Sequence, residues 1–202
     1  MDLRRLVVRA IQKIGWIYLG EVFVVTPEDP LVTIRPKVPC EFAAITAENY
    51  NRVGDFRDQE LVPEFLQKVS CGEIGFFAIC DGSAAGSIWA TVNESAVPIV
   101  VRGFMKLMPK EALIHDIVTG TNYRGSGIGP FMVTHILPAL FQCHRAKRVI
   151  IDVNLKNAPS LKMMNKAGLQ ADHRALAVSA FQKLAFHKVL KKYPRSTGSI
   201  VP

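Results

Sequence analysis

The run Arg124-Gly125-Ser126-Gly127-Ile128-Gly129 holds the residue types and spacing best suited to chemistry in this chain. Its three glycines stand at alternate positions just before a helical pattern, so the backbone amides there are not screened by a Cβ. Amides at a helix start, with the helix dipole behind them, present about half a positive charge to an anion, and a pyrophosphate is the expected guest. Alternate glycines alone also describe a dinucleotide loop or a plain flexible turn. A dinucleotide loop follows the first strand of its unit and needs an acidic residue roughly 20 residues on. Here three strand patterns come before the loop, although Asp152 has a compatible spacing. A mononucleotide P-loop is ruled out, because no Gly-Lys-Ser/Thr follows.

A second group is His115-Asp116, on the strand pattern that leads into the loop. Both side chains can take a proton. Successive strand residues face opposite sides, so at most one of the two is expected in a cleft. Asp116 is the first choice and His115 the second, while a plain structural acid is the alternative role for Asp116. Asn154, at the end of the next strand, could orient a substrate or cap the strand. His135, His144, His173 and His187 have no partnered spacing.

These groups need elements to hold them. Residues 2–14 alternate as an amphipathic helix, with Leu3, Leu6, Val7, Ala10, Ile11 and Ile14 on one face and Arg4, Arg5, Arg9 and Lys13 on the other. A strand over 16–25 follows, and 1–36 together read as an N-terminal helix-strand extension. The main domain is expected over 37–193, with a frayed tail over 194–202. Within that domain the pattern predicts a strand at 41–45, a helix from Ala47 capped by Thr46, and a second helix over 58–70. Asp81-Gly82 marks a hairpin between strands 75–80 and 84–92. A strand at 112–119, a helix over 130–145 kinked at Pro138, a strand at 148–153 and a helix over 158–167 come next. A strand over 169–178 closes the series, and 181–191 reads either as a strand or as a basic helix. The fold class is α+β, with antiparallel N-terminal strands in a mixed central sheet and a strand-helix-strand crossover carrying the glycine loop.

The loop resembles the R/Q-x-x-G-x-G/A signature of the GNAT (GCN5-related N-acetyltransferase) superfamily, through Arg124 to Gly129. The segment Asn157-Ala158-Pro159-Ser160 with the helix to Gly168 resembles that family's second motif, separated from the first by a helix and a strand as in the family. The likeness covers roughly residues 38–190 and implies acetyl-CoA as acyl-donor substrate, with no metal. It implies that the amides of Gly125, Ser126, Gly127, Ile128 and Gly129 hold the CoA pyrophosphate and that Arg124 neutralises phosphate charge. It also implies that Ile117, Val118 and Thr119 pair with the pantetheine and point an amide at the thioester oxygen. Asn157 and Ser160 would reach the pantetheine or phosphate side. The family's acid is a tyrosine on the second-motif helix, and Met164 stands there. A thioether cannot donate a proton, so another group, or water, must protonate the leaving thiolate.

The implied reaction is direct attack by a primary amine, from a small molecule, an amino sugar or a protein. A base helps, because freeing an alkyl amine of pKa about 10.4 at neutral pH costs roughly 4–5 kcal/mol. A CoA-binding module without turnover and a basic peripheral adaptor are the competing classes.

The net charge of +8 favours anionic partners without choosing among them. Lys188, Lys191, Lys192 and Arg195 have no stacking aromatics in a nucleic-acid motif, which argues against nucleic acid. The N-terminal helix could dock on an anionic membrane, cover the domain's own core, or meet a second subunit in a homodimer. No run of about 18 apolar residues suggests a membrane span, and no cleavage pattern suggests export. Cys40, Cys71, Cys80 and Cys143 show no metal spacing, and four separate thiols in a reducing, cytoplasmic setting are expected.

Overall fold

The structure, a computed structural model, describes residues 15–101, 105–180 and 183–194. The helix expected over 2–14 and the tail from 195 lie outside the described residues. Eight strands form one sheet in the order β10-β9-β1-β8-β7-β4-β3-β2. They are β1 Gly15–Val25, β2 Glu41–Ala44, β3 Ile74–Cys80, β4 Ser83–Val92, β7 Glu111–Thr119, β8 Arg148–Asn154, β9 Ala171–Ala180 and β10 Lys183–Lys192. Every neighbouring pair is antiparallel except β7–β8, which is parallel. The short strands β5 Ile99–Val101 and β6 Met105–Leu107 make a separate two-stranded ribbon in a stretch the sequence left irregular. The helices are α1 Val62–Ser70, α2 Ile128–Gln142 and α3 Ala158–Lys166. An α+β protein with a mixed central sheet is therefore what this chain forms.

Alternation along the strands divides the core. Phe23, Ile88, Ala112 and Val149 face α2 and α3 in one cluster. Their neighbours Phe77 and Trp89 pack under α1 with Phe65. Val22, Leu113 and Ile150 lie under the β5–β6 ribbon. Period two sends adjacent residues to opposite faces, and both faces are covered.

The position of β1 corrects the sequence reading. It is not an appendage: it pairs with β8 on one side, Gly20 opposite Asn154, and with β9 on the other, Gly20 opposite Ala175. Glu21 is buried there, and its Oε1 accepts bonds from Arg174 Nε at 3.0 Å and Tyr193 Oη at 3.0 Å, so the inner strand carries a carboxylate paired with a cation through one oxygen. The ambiguous segment near 181–191 is the edge strand β10. Its lysines then have a plain role, since charge on an exposed edge discourages pairing with another chain.

Two local expectations changed. The helix expected from Ala47 is a turn followed by a 3-10 segment, Tyr50–Asp55. Asn49 diverts it, accepting from the Thr46 amide and donating to the Ala44 carbonyl, local bonds that compete with a helix. At the hairpin, Asp81 and Gly82 have φ of 51° and 78°, the positive pair a two-residue turn requires.

Helix α2 runs unbroken with Pro138 inside it, and ten of its residues are buried. A helix apolar on nearly all sides must be covered away from the sheet as well. The connection from β1 to β2 does this as a strap, packing Ile34, Val38 and Cys40 on the core. Its end is fixed by a Cys40–Cys80 disulfide. Glu41 pairs with Ile79, so the register sets the two cysteines across from each other. Only Cys71 and Cys143 are free, both exposed, and the expectation of four separate thiols is overturned. The cysteine pattern therefore no longer argues for a reducing compartment. With the bonded cysteines 40 positions apart, Cys40→Ser is expected to lower stability by about 4 kcal/mol on the chain-entropy account. Urea unfolding with and without reductant checks this: reductant should shift the wild-type midpoint and leave that of the variant in place.

Candidate active site

β7 and β8 pair only from Glu111–Arg148 to Ile114–Ile151, and beyond that point they part. The opening is a cleft of about 270 Å³. Tyr18, His115 and Asp116 line it together with Ser160, Met163 and Met164 of α3. α3 packs on the face opposite α1, so the cleft passes through the sheet.

A bulge produces the divergence. Trp89 pairs with His115 but Ser87 pairs with Val118, so Ile88 of β4 faces both Asp116 and Ile117 of β7. The extra residue is Asp116, at φ 45°. This cancels the alternation expected from sequence and turns His115 and Asp116 to the same face. His115 Nε2 lies 3.1 Å from Thr91 Oγ1 and 3.2 Å from Glu73 Oε2. The Glu73 contact is at ion-pair distance without the alignment of a full hydrogen bond, and Oε2 is otherwise buried without a hydrogen-bond partner.

Asp116 is held by cations. Lys68 Nζ donates to Oδ2 at 2.6 Å and Arg57 Nη1 to Oδ1 at 3.3 Å. Burial by itself would push this carboxyl up, but the Lys68 hydrogen bond and the charges of Lys68, Arg57 and His115 outweigh it and hold it below the usual aspartate range. A depressed value means that this contribution to stability is complete above about pH 4 and is lost as pH falls through the lowered value. It also makes Asp116 a weak proton acceptor.

Beyond Met163, which lines the cleft and packs on Gly129, α2 starts on Gly127, whose φ of 89° is a left-handed conformation that glycine adopts without cost. The first-turn amides have no carbonyl within the helix to bond, and Pro130 has none to waste. Ser126 is committed locally, its hydroxyl donating to the Tyr123 carbonyl. Arg124 is exposed beside the loop. The strap touches this loop: Lys37 N–H donates to the Ser126 carbonyl at 2.7 Å, which sets Arg35 and Lys37, both exposed, next to it. Ile117, Val118 and Thr119 are half-buried on the end of β7 that has parted from β8, and of the three Ile117 lines the cleft.

Asn157 and Ser160 line the cleft, and Asn157 also caps α3, its Oδ1 accepting from Ser160 N–H at 3.2 Å. Asn157→Ala is expected to cost about 1 kcal/mol of stability through the lost cap, measured by chemical unfolding. Met164 is fully buried in the core. Met163 fills the space over Gly129, where an added Cβ would lie 2.5 Å from its sulfur. Among the described residues no group of three or more His, Cys, Asp or Glu could hold a metal ion, and no helix is long and apolar enough to cross a membrane.

The sequence reading missed Tyr18, Arg57, Lys68 and Glu73. Lys68 left a signal: it falls on the apolar stripe of α1 after Leu61 and Phe65, where a solvated lysine does not belong. Tyr18, Arg57 and Glu73 left none, since their neighbours in the cleft are far off in sequence.

The chain is thus an α+β sheet splayed between its two parallel strands, beside a helix that opens on a left-handed glycine. The Acetyltransferase (GNAT) family profile matches residues 42–169, and this chain belongs to that family. No curated protein matches it. Among solved structures, a GCN5-related N-acetyltransferase from Kribbella flavida shares 13% identity at a TM-score of 0.56, over 86% of this chain and 62% of that one. A GNAT-family acetyltransferase from Colwellia psychrerythraea shares 12% at 0.56, over 87% and 60%. AAC(6')-Iy, solved with the bisubstrate analogue CoA-S-monomethyl-acetylneamine, shares 13% at 0.51, over 65% of this chain and 91% of that one. At such identities the likeness is one of fold. The chain spans about three fifths of the length of the first two.

Proposed function

We propose that this chain moves an acetyl group from acetyl-CoA to a primary amine by direct attack. The observation that carries the reading is the through-sheet cleft with two unlike mouths. The α2 start, a left-handed glycine flanked by Arg35, Lys37 and Arg124, suits a pyrophosphate, and nothing but backbone lies at Gly127 to obstruct it. The other mouth has a histidine backed by a carboxylate, which suits an amine that must lose a proton.

The amides of Gly125, Gly127, Ile128 and Gly129 bind the pyrophosphate, the Ser126 amide being donated to the Tyr123 carbonyl, and the edge Ile117–Thr119 pairs with the pantetheine arm. A backbone amide freed by the bulge polarises the thioester carbonyl as the amine nitrogen attacks. His115 takes the amine proton. With Nε2–H donated to Thr91 Oγ1, the lone pair is on Nδ1, and the nearby Glu73 carboxylate steadies the imidazolium that forms. His115 is preferred to Asp116 for this role, because two cations hold the Asp116 carboxylate in its charged form. Collapse of the adduct breaks the C–S bond, and the thiolate leaves. A thiol of pKa about 8.5 departs at neutral pH without strong acid help, so water suffices where Met164 replaces the family's tyrosine.

The acceptor is a primary amine; amino sugars, other small amines and protein lysines all fall in that class. Thiol release from acetyl-CoA across such a panel tests the reading. Turnover above the uncatalysed rate supports it, and tight CoA binding with no release on any amine would leave a CoA-binding module instead.

A further inference from the structure

We infer that Lys68 and Arg57 are positioning residues: they clamp Asp116 from the α1 side, hold the β7 bulge in its strained shape, and so fix the aim of the backbone at Ile117. The inference rests on the acyl-transfer reading of the cleft.

Asp116 sits at φ 45°, a region that residues with a side chain rarely adopt, and a strained residue persists only where its surroundings over-determine it. Those surroundings come from two elements that do not otherwise belong to the cleft. Lys68 reaches in from α1 and Arg57 from the loop after the 3-10 segment, and between them they engage both carboxylate oxygens. Each cation is itself fixed. Lys68 Nζ lies 3.0 Å from Glu64 Oε1 and 5.4 and 5.2 Å from the ring centres of Phe65 and Trp89, with its side chain only 13% exposed. Arg57 is tied at its amide to the Val53 carbonyl, 2.9 Å away.

The clamp therefore joins a packed aromatic cluster to one strained backbone position. That position is where β7 turns from β8 after the last paired residues, Ile114 and Ile151. The charged groups around the carboxylate are Lys68, Arg57 and His115, with Glu64 behind Lys68 and Glu73 behind His115. Two cations on one aspartate make it a holder and not a proton carrier. Its energy goes into geometry.

The full chain and its Asp116→Asn, Lys68→Met and Lys68→Arg variants would be compared by three readouts. These are kcat against pH with acetyl-CoA and an amine substrate, CoA affinity by calorimetry, and amide hydrogen exchange along β7. A clamp predicts that Asp116→Asn and Lys68→Met each lower kcat at least tenfold at every pH without moving the acid limb. CoA affinity should stay within threefold, the double variant should be no worse than the poorer single, and Lys68→Arg should recover most of the rate. Exchange at 115–118 should quicken at least tenfold in Lys68→Met while 112–114 hold.

If Lys68→Met instead shifts the acid limb upward, Asp116 is titrating as the base and the clamp is wrong. Unchanged kcat and unchanged exchange in Lys68→Met would also overturn it. The exchange arm needs no substrate, so the clamp can stand or fall even if the wild-type chain turns over no amine, the result that would sink the acyl-transfer reading alone.

Discussion

Gly127→Glu is expected to weaken CoA binding by at least a hundredfold, the largest single effect on ligand affinity at this site. Two causes act together. Gly127 has φ 89°, and any side chain there costs about 1–2 kcal/mol of backbone strain. Its Cβ would lie 3.5 Å from Pro36 Cα of the strap, so the side chain must turn away from the strap and towards the mouth that the first-turn amides face. A carboxylate there opposes the pyrophosphate. Two unit charges about 4 Å apart at an effective dielectric near 20 repel by about 4 kcal/mol, more than the half-charge of the helix start can offset. Gly127→Ala separates the causes, since it keeps the strain and drops the charge, and it should lose at most tenfold. Titration calorimetry reads both variants, with thermal unfolding to establish that each is folded. Undiminished CoA affinity in a folded Gly127→Glu protein would refute the assignment of the loop.

What the sequence made legible and what it hid divide by distance along the chain. The glycine loop, the Asn157 cap and the Asp81-Gly82 turn are local: each depends on backbone angles within a few residues, and the residue types that allow those angles are few. The insertion of β1 between β8 and β9 is not local. Its pattern of aromatic and β-branched residues said strand, but the partners of Gly15–Val25 lie more than 120 residues away, and nothing in a strand's own sequence names its neighbours. Reading it as an extension removed Tyr18 from the site. The Cys40–Cys80 bond was hidden for the same reason, since it follows from a register and not from a spacing. The bulge at Asp116 is the sharpest case. A rule that holds for regular strands assigned His115 and Asp116 to opposite faces, and one inserted residue reversed that. Lys68 was readable in principle as a cation on an apolar stripe, a local inconsistency of the kind functional sites create.

The second large effect is on proton transfer. His115→Gln is expected to lower kcat by about a hundredfold or more at neutral pH, the usual scale for loss of a general base. The loss should not be uniform. Without a base the reaction draws on amine already neutral in solution, so log rate should rise with pH at unit slope until it levels near the amine's own pKa, about 10.4 for an alkyl amine. The wild type should level off lower, where the imidazole is neutral, and the two profiles should converge at high pH. Glutamine can still hydrogen-bond to Thr91 Oγ1, now 3.1 Å from Nε2, so strand pairing and the bulge have no reason to change. Glu73→Gln gives an independent reading. It leaves the base in place but removes the charge beside the imidazolium, so a loss smaller than that of His115→Gln is expected. A His115→Gln deficit that is the same at every pH would mean that the histidine only shapes the cleft. The proton would then have to leave by water, with Tyr18, Asp152 and Asn154 among the polar groups on the cleft wall that could order it.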